Sequence, residues 1–161
     1  MSQFQGEFEC KLDAKGRLSL PSALRKQMAP EAKEKFMVNR GFENCLALYP
    51  MDEWQKISDE INNLNMYVVK NREFARYFFR GAMELELDAA GRILLPKRML
   101  EHAGVTKELV LYGWGNKIEI WSVEGYAKLL KDEPKDFAAL AEEVMGKINL
   151  NRGGGGERGL S

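Results

Sequence analysis

Residues 13–21 read DAKGRLSLP and residues 88–96 read DAAGRILLP. Six of the nine letters are identical at a constant offset of 75, and the match runs outward in both directions. Upstream it takes in Gly6 with Gly81, Glu9 with Glu84 and Leu12 with Leu87. Downstream, KFMVNRGFENCLALYPMDEW (35–54) answers ELVLYGWGNKIEIWSVEGY (108–126), pairing Val38 with Leu111, Leu46 with Ile118 and Leu48 with Ile120. Tyr49 then falls with Trp121, and Trp54 with Tyr126. The chain is a module of about 50 residues written twice.

Each copy carries the same local signals. In the first, Phe8, Cys10 and Leu12 alternate with Glu9 and Lys11; in the second, Met83, Leu85 and Leu87 alternate with Glu84 and Glu86. Period-two alternation predicts half-buried strands. Gly16 and Gly91 suit turn positions with positive φ. RLSL and RILL predict return strands that stop at Pro21 and Pro96, since proline donates nothing to a ladder. Proline opens helices well, so SALRKQM and KRMLEHA are expected as short helices. KFMVNR with LALYP, and ELVLYG with IEIWS, predict second hairpins, with Asp52 and Ser122 as N-caps of the helices that follow.

A unit this short buries too little surface to stand alone. Two units that cover each other's open strand edges solve that problem, which predicts an α+β fold: a pseudo-two-fold β-barrel with helices outside. The expected boundaries are 5–54 for the first unit, 55–80 for a helical connector and 81–128 for the second unit. A C-terminal helix is expected over 129–148 and a flexible glycine-rich tail over 149–161. Within the connector, NREFARYFFRG (71–81) predicts a helix with Phe74, Tyr77 and Phe78 on one core-facing side.

The totals exclude several classes. The chain has 161 residues, 45% hydrophobic and 30% charged, ordinary for a globular protein. No apolar run reaches the roughly 18 residues a membrane helix needs, and MSQFQGEFEC lacks the basic start and apolar stretch of a secretory signal. Cys10 and Cys45 have no CxxC spacing, so buried reduced thiols are expected rather than a disulfide or a metal site. The lone His102, and the absence of GxSxG or HExxH, give no support to an enzyme. No cofactor and no small-molecule substrate are expected.

A net charge of zero conceals an uneven distribution. Residues 1–30 hold five Lys/Arg against three Asp/Glu, and residues 66–100 hold seven against four. Stretches 31–65 and 101–148 are acidic in balance. Both copies of the repeated motif therefore lie in the basic stretches, as a polyanion-binding face would.

Glycine, proline and the apolar identities have structural explanations. Asp13 with Arg17, and Asp88 with Arg92, have two. The aspartate can accept turn amides and pair with the arginine, needing no partner. Alternatively, an orienting carboxylate presents the guanidinium to phosphate oxygens or a guanine edge, for which its fork is suited. Lys11 and Lys15 beside the first turn, with Arg25, Lys26, Lys97 and Arg98, are candidate phosphate contacts.

The doubled DxxxR turn followed by GR-[LI]-x-LP resembles the MraZ family of bacterial transcriptional regulators, whose units are similar to the SpoVT/AbrB-type swapped-hairpin domain. The resemblance covers residues 5–128. It implies a cytoplasmic, nucleoid-associated protein that binds double-stranded DNA at repeated promoter boxes. It also implies assembly into a homo-oligomeric ring and regulation of its own division and cell-wall operon, usually as a repressor. The family's motif residues map onto Asp13, Arg17, Asp88 and Arg92. A second reading, an antitoxin-like or other protein-interaction module, rests on the acidic segment 132–148, which predicts a helix with Phe137, Leu140, Ala141 and Val144 on one face.

Overall fold

The alternation after Ser2 does make a strand: β1, Phe4–Lys11, turns Phe4 and Phe8 inward and leaves Glu7 and Glu9 outside. The computed structural model describes residues 2–147. It separates into a unit that ends at Tyr126 and one that begins at Ala127.

The first unit holds eight strands and most of the helices. After β1 come β2 (Arg17–Ser19), α1 (Ser22–Arg25), β3 (Lys35–Arg40), β4 (Leu46–Pro50), α2 (Met51–Asn62) and α3 (Val69–Phe79). The second copy supplies β5 (Met83–Glu86), β6 (Arg92–Leu94), α4 (Lys97–Ala103), β7 (Glu108–Gly115) and β8 (Lys117–Ser122); α5 (Val123–Lys131) follows.

Six strands form one antiparallel sheet in the order β1-β7-β8-β4-β3-β5, while β2 and β6 pair only with each other. Exchanging the two copies turns that order into its own reverse, with the pseudo-two-fold between β8 and β4. The register obeys the same symmetry. Leu46 pairs with Ile120 and Leu48 with Ile118 across the axis.

The first two strands of each copy are not a hairpin. β1 pairs with β7 of the other copy, β5 with β3, and β2 with β6. Each copy lends its leading strands to its partner, so neither half has a complete sheet alone. The second hairpins, β3–β4 and β7–β8, form within their own copies as expected. Among the described residues the ladder is an open sheet plus a separate ribbon; ring closure into a barrel is not part of the pairing.

One face of the sheet meets the ribbon. Leu18, Leu20, Ile93 and Leu95 join Phe36, Val38, Leu46, Leu48, Leu109, Leu111, Ile118 and Ile120 in a single buried cluster. The opposite face is covered twice, in related ways. Trp54 of α2 packs on Tyr49, and Tyr126 of α5 packs on Trp121.

Several local expectations change. α2 begins at Met51 directly after Pro50, so Asp52 lies inside the first turn. Its carboxylate instead accepts the Ser2 N–H at 3.1 Å and hydroxyl at 3.0 Å. Ser122 does cap α5, its Oγ accepting the Gly125 N–H at 2.9 Å. The aromatic side of α3 is not core. Phe78 stacks on Trp54 at 5.7 Å and Phe79 meets the same ring edge-on, but Phe74 and Tyr77 stay exposed, because α3 packs through Ala75, Phe78 and Phe79.

In the second unit, α5 stops at Lys131 and a further helix covers 137–147. The break includes Pro134, which lacks an N–H and disfavours helix at the residue before it. Asp136 caps the later helix through the Ala139 N–H at 3.0 Å. The expected tail, 149–161, lies outside the described residues.

Candidate nucleic-acid interface

The repeated motif builds the two-stranded ribbon. Arg17 pairs with Leu94, Leu18 with Ile93 and Ser19 with Arg92. Successive side chains on a strand point to opposite faces. Leu18 and Ile93, 0% and 1% exposed, fix the inner face. The outer face therefore carries Arg17, Ser19, Arg92 and Leu94. Arg17 and Arg92 are diagonal neighbours there, about 7–8 Å apart along the ribbon.

Each end of the ribbon is closed by one of the two turns. Gly16 (φ +82°) and Gly91 (φ +77°) occupy the left-handed region that a side chain would strain. The Gly91 carbonyl accepts the Leu20 N–H at 3.0 Å, and the Gly16 carbonyl accepts the Leu95 N–H at 3.2 Å. Each turn is thereby fastened to the strand of the other copy.

The aspartates hold both turn and arginine. Asp13 Oδ1 accepts the Lys15 and Arg17 amides, each at 2.9 Å, and its Oδ2 accepts Arg17 Nε–H at 2.6 Å. Asp88 repeats this with Ala90 and Arg92 amides at 2.9 Å and Arg92 Nε–H at 3.0 Å. Among the described residues, neither guanidinium has a hydrogen-bond partner at its terminal nitrogens. Nε fixes the direction of the fork while both Nη groups stay open. The arginine side chains are 29% and 33% exposed, neither sealed inside nor free to sweep through solvent.

The same bonds hold the pKa of both aspartates below the ordinary carboxylate value. The Arg17 backbone amide is the largest influence on Asp13, and the Arg92 backbone amide the largest on Asp88, each outweighing desolvation. A folded-state value below the ordinary 3.8 means a contribution fully present above that pH and lost as pH falls through the lower value. These ion pairs therefore stay intact from about pH 8 to about pH 5. Arg17 and Arg92 Nε–H signals followed by NMR are expected to hold steady across that range and to change only below the ordinary carboxylate value.

The other candidate contacts are placed unevenly. Lys15 and Lys97 line one groove with Leu94 beside the first turn, together with Glu84 and Glu86. Lys11 pairs with Glu108 at 3.8 Å at the end of β1. Arg25 lies over Gly91 at the second turn. Ser19 and Leu94 are the outer-face positions the sequence reading did not single out. Inward Leu18 and Leu20 were a signal for Ser19, but its facing partner, Arg92 of the other copy, is set by the strand exchange.

Three possible metal-binding donors meet elsewhere. Glu43, Cys45 and Glu119 bring donor atoms within 4.8 Å of one another. Burial, then the Glu119 and Glu43 charges, push the Cys45 thiol up to about 12, which keeps it protonated. One Glu119 oxygen accepts the Trp121 indole N–H at 3.2 Å.

Comparison with known proteins matches the family described as "MraZ protein, putative antitoxin-like" over residues 3–77 and again over 78–147. The chain belongs to the MraZ family. The two matches split it between the copies, so each MraZ repeat contains one Asp/Arg turn. Relatives named "Transcriptional regulator MraZ" agree over nearly the whole length. The one from Christiangramia forsetii is 49% identical over 147 residues, covering 91% of this chain and 95% of the relative. That from Flavobacterium psychrophilum is 47% identical over 150 residues, covering 92% and 96%. That from Cytophaga hutchinsonii is 40% identical over 145 residues, covering 90% and 96%.

Proposed function

We propose that this protein is a sequence-specific DNA-binding transcriptional regulator that lays its β2–β6 ribbon in the major groove. One observation carries the reading: Arg17 and Arg92 share the outer face of an antiparallel ribbon, each oriented by a carboxylate and open at its terminal nitrogens. B-DNA's major groove, about 12 Å wide, admits a two-stranded ribbon, and an arginine fork matches guanine O6 and N7. Asp13 and Asp88 position the forks without touching DNA. Lys15 and Lys97 supply phosphate contacts beside the first turn. The names of the relatives support the regulatory role.

The surrounding biology follows the family resemblance. The protein is cytoplasmic and nucleoid-associated, assembles into a homo-oligomeric ring, and represses its own operon of division and cell-wall genes. Ring assembly suits the small basic surplus, because tandem boxes on one duplex raise the effective concentration for each later subunit. No helix among the described residues is long and apolar enough to cross a membrane.

DNase footprinting on DNA upstream of the protein's own gene is expected to show evenly spaced short protections. Affinity for that DNA falls steeply with salt, the logarithmic slope being about −0.9 per neutralised phosphate. Absence of protection, or a flat salt response, would remove the DNA reading.

One observation favours a second role. Helix 137–147 leaves Phe137, Leu140 and Val144 exposed, a stripe suited to another protein's groove. Co-purification of a small basic protein, lost in a Phe137→Ser variant, would support that antitoxin-like reading.

A further inference from the structure

The two ends of the ribbon are related by the duplication but are not chemically equal. The offset of 75 that equates Arg17 with Arg92 equates Arg25 with Leu100. One copy therefore has a third guanidinium where the other has an apolar side chain.

Its position is specific. Arg25 ends α1, the helix entered from β2 through Pro21. Because β2 pairs with β6, α1 begins beside the second turn rather than its own. A Cβ built on Gly91 would meet the Arg25 guanidinium carbon at 2.7 Å. At Gly16, the related position, the nearest atom to such a Cβ is the Leu95 carbonyl oxygen at 4.0 Å. Gly91 is buried although it sits at an exposed turn, and Arg25 itself is exposed. Among the described residues Arg25 has no carboxylate within ion-pair distance.

The backbone of the turn offers an anion little, since among the described residues only its Ala89 N–H has no acceptor. Its Ala90 and Arg92 amides bond to Asp88 Oδ1, and the Gly91 amide bonds to the Asp88 carbonyl at 2.9 Å. A backbone nest, the usual way a tight turn holds phosphate, is thus already filled. An oxygen anion arriving here must be held chiefly by side chains. Arg92 is one, fixed at Nε; Arg25 is the other. Asp88 is paired with Arg92 while Arg25 has no ion-pair partner among the described residues, which leaves a positive charge uncompensated beside the turn. A ribbon lying in a groove brings its end turns against the flanking sugar-phosphate backbone.

We propose that Arg25 and the Asp88–Arg92 turn form a phosphate clamp for the DNA backbone, with Arg25 holding a phosphodiester oxygen beside the box that Arg92 reads. The site has no counterpart at the first turn, where Lys15 and Lys97 are the added cations. This inference rests on the DNA-binding reading.

The test uses the full-length protein and the duplex protected in the footprint, resynthesised with one neutral methylphosphonate at each phosphate in turn. Wild type is expected to lose on the order of tenfold in affinity at each contacted position. Arg25→Ala is expected to bind the unmodified duplex about tenfold more weakly, with a salt slope lower by about one per bound subunit. It becomes insensitive to the methylphosphonate at one position in each box. Arg25→Lys keeps most of the affinity, because a phosphate accepts a point charge.

Three results overturn the clamp: wild-type affinity in Arg25→Ala, weakened binding with an unchanged set of sensitive phosphates, or equal losses from lysine and alanine. Failure of the wild type to bind any upstream duplex is a different result, and it removes the DNA reading itself.

Discussion

Arg17→Ala/Arg92→Ala is expected to remain folded and to lose nearly all specific DNA affinity. Folding survives because both side chains leave from the outer face of the ribbon, away from the Leu18–Ile93 contact. Their ion pairs are partly exposed, and such pairs contribute little to stability. The turns also keep their backbone bonds, since Asp13 and Asp88 still accept the amides of residues 15, 17, 90 and 92. Binding has no comparable reserve. A good base contact contributes about 1–3 kcal/mol, so two per subunit amount to between roughly 30-fold and 10⁴-fold. Anisotropy titrations of the upstream duplex, with circular dichroism on the same samples, separate the two effects. Unchanged affinity in a folded double variant would make the arginines structural.

The duplication was legible because it is a comparison of letters, and it carried most of the fold with it. Period-two alternation marked β1 and β5, and the Tyr49/Trp121 and Trp54/Tyr126 matches anticipated how α2 and α5 cover one face of the sheet. The strand partners were not legible. Alternation shows which side of a strand is buried but is silent on which strand lies beside it. FECKLD and RLSL therefore looked like one hairpin, although they pair with two different strands of the other copy. The same gap hid the site's composite nature. Arg25 reads as a residue flanking the first motif, yet it stands on the second. Phe74 and Tyr77 failed for another reason: helical spacing shows that side chains share a face, not that anything covers it.

Leu18→Ala and Ile93→Ala are expected to abolish DNA binding without either residue reaching the DNA. These two side chains face each other at the centre of a ribbon of three residue pairs, and they belong to the buried cluster beneath it. Truncating a fully buried leucine or isoleucine costs about 2–5 kcal/mol. That is a large share of a total stability of about 5–15 kcal/mol. The loss is not spread evenly. The six-stranded sheet has its own ladder and a second apolar face, whereas among the described residues the ribbon bonds to no other strand. Besides the two glycine carbonyl clasps at its ends, its inward leucines and isoleucine hold it down. Local opening of the weakest unit precedes global unfolding. In each single variant, amide exchange at Leu18 and Ile93 should therefore quicken far more than at Leu48 or Ile120. Specific affinity should fall in step, because an open ribbon no longer sets the spacing of Arg17 and Arg92. Uniformly faster exchange across sheet and ribbon would show instead that they unfold as one unit, and that the arginines owe their placement to the whole sheet rather than to these two side chains.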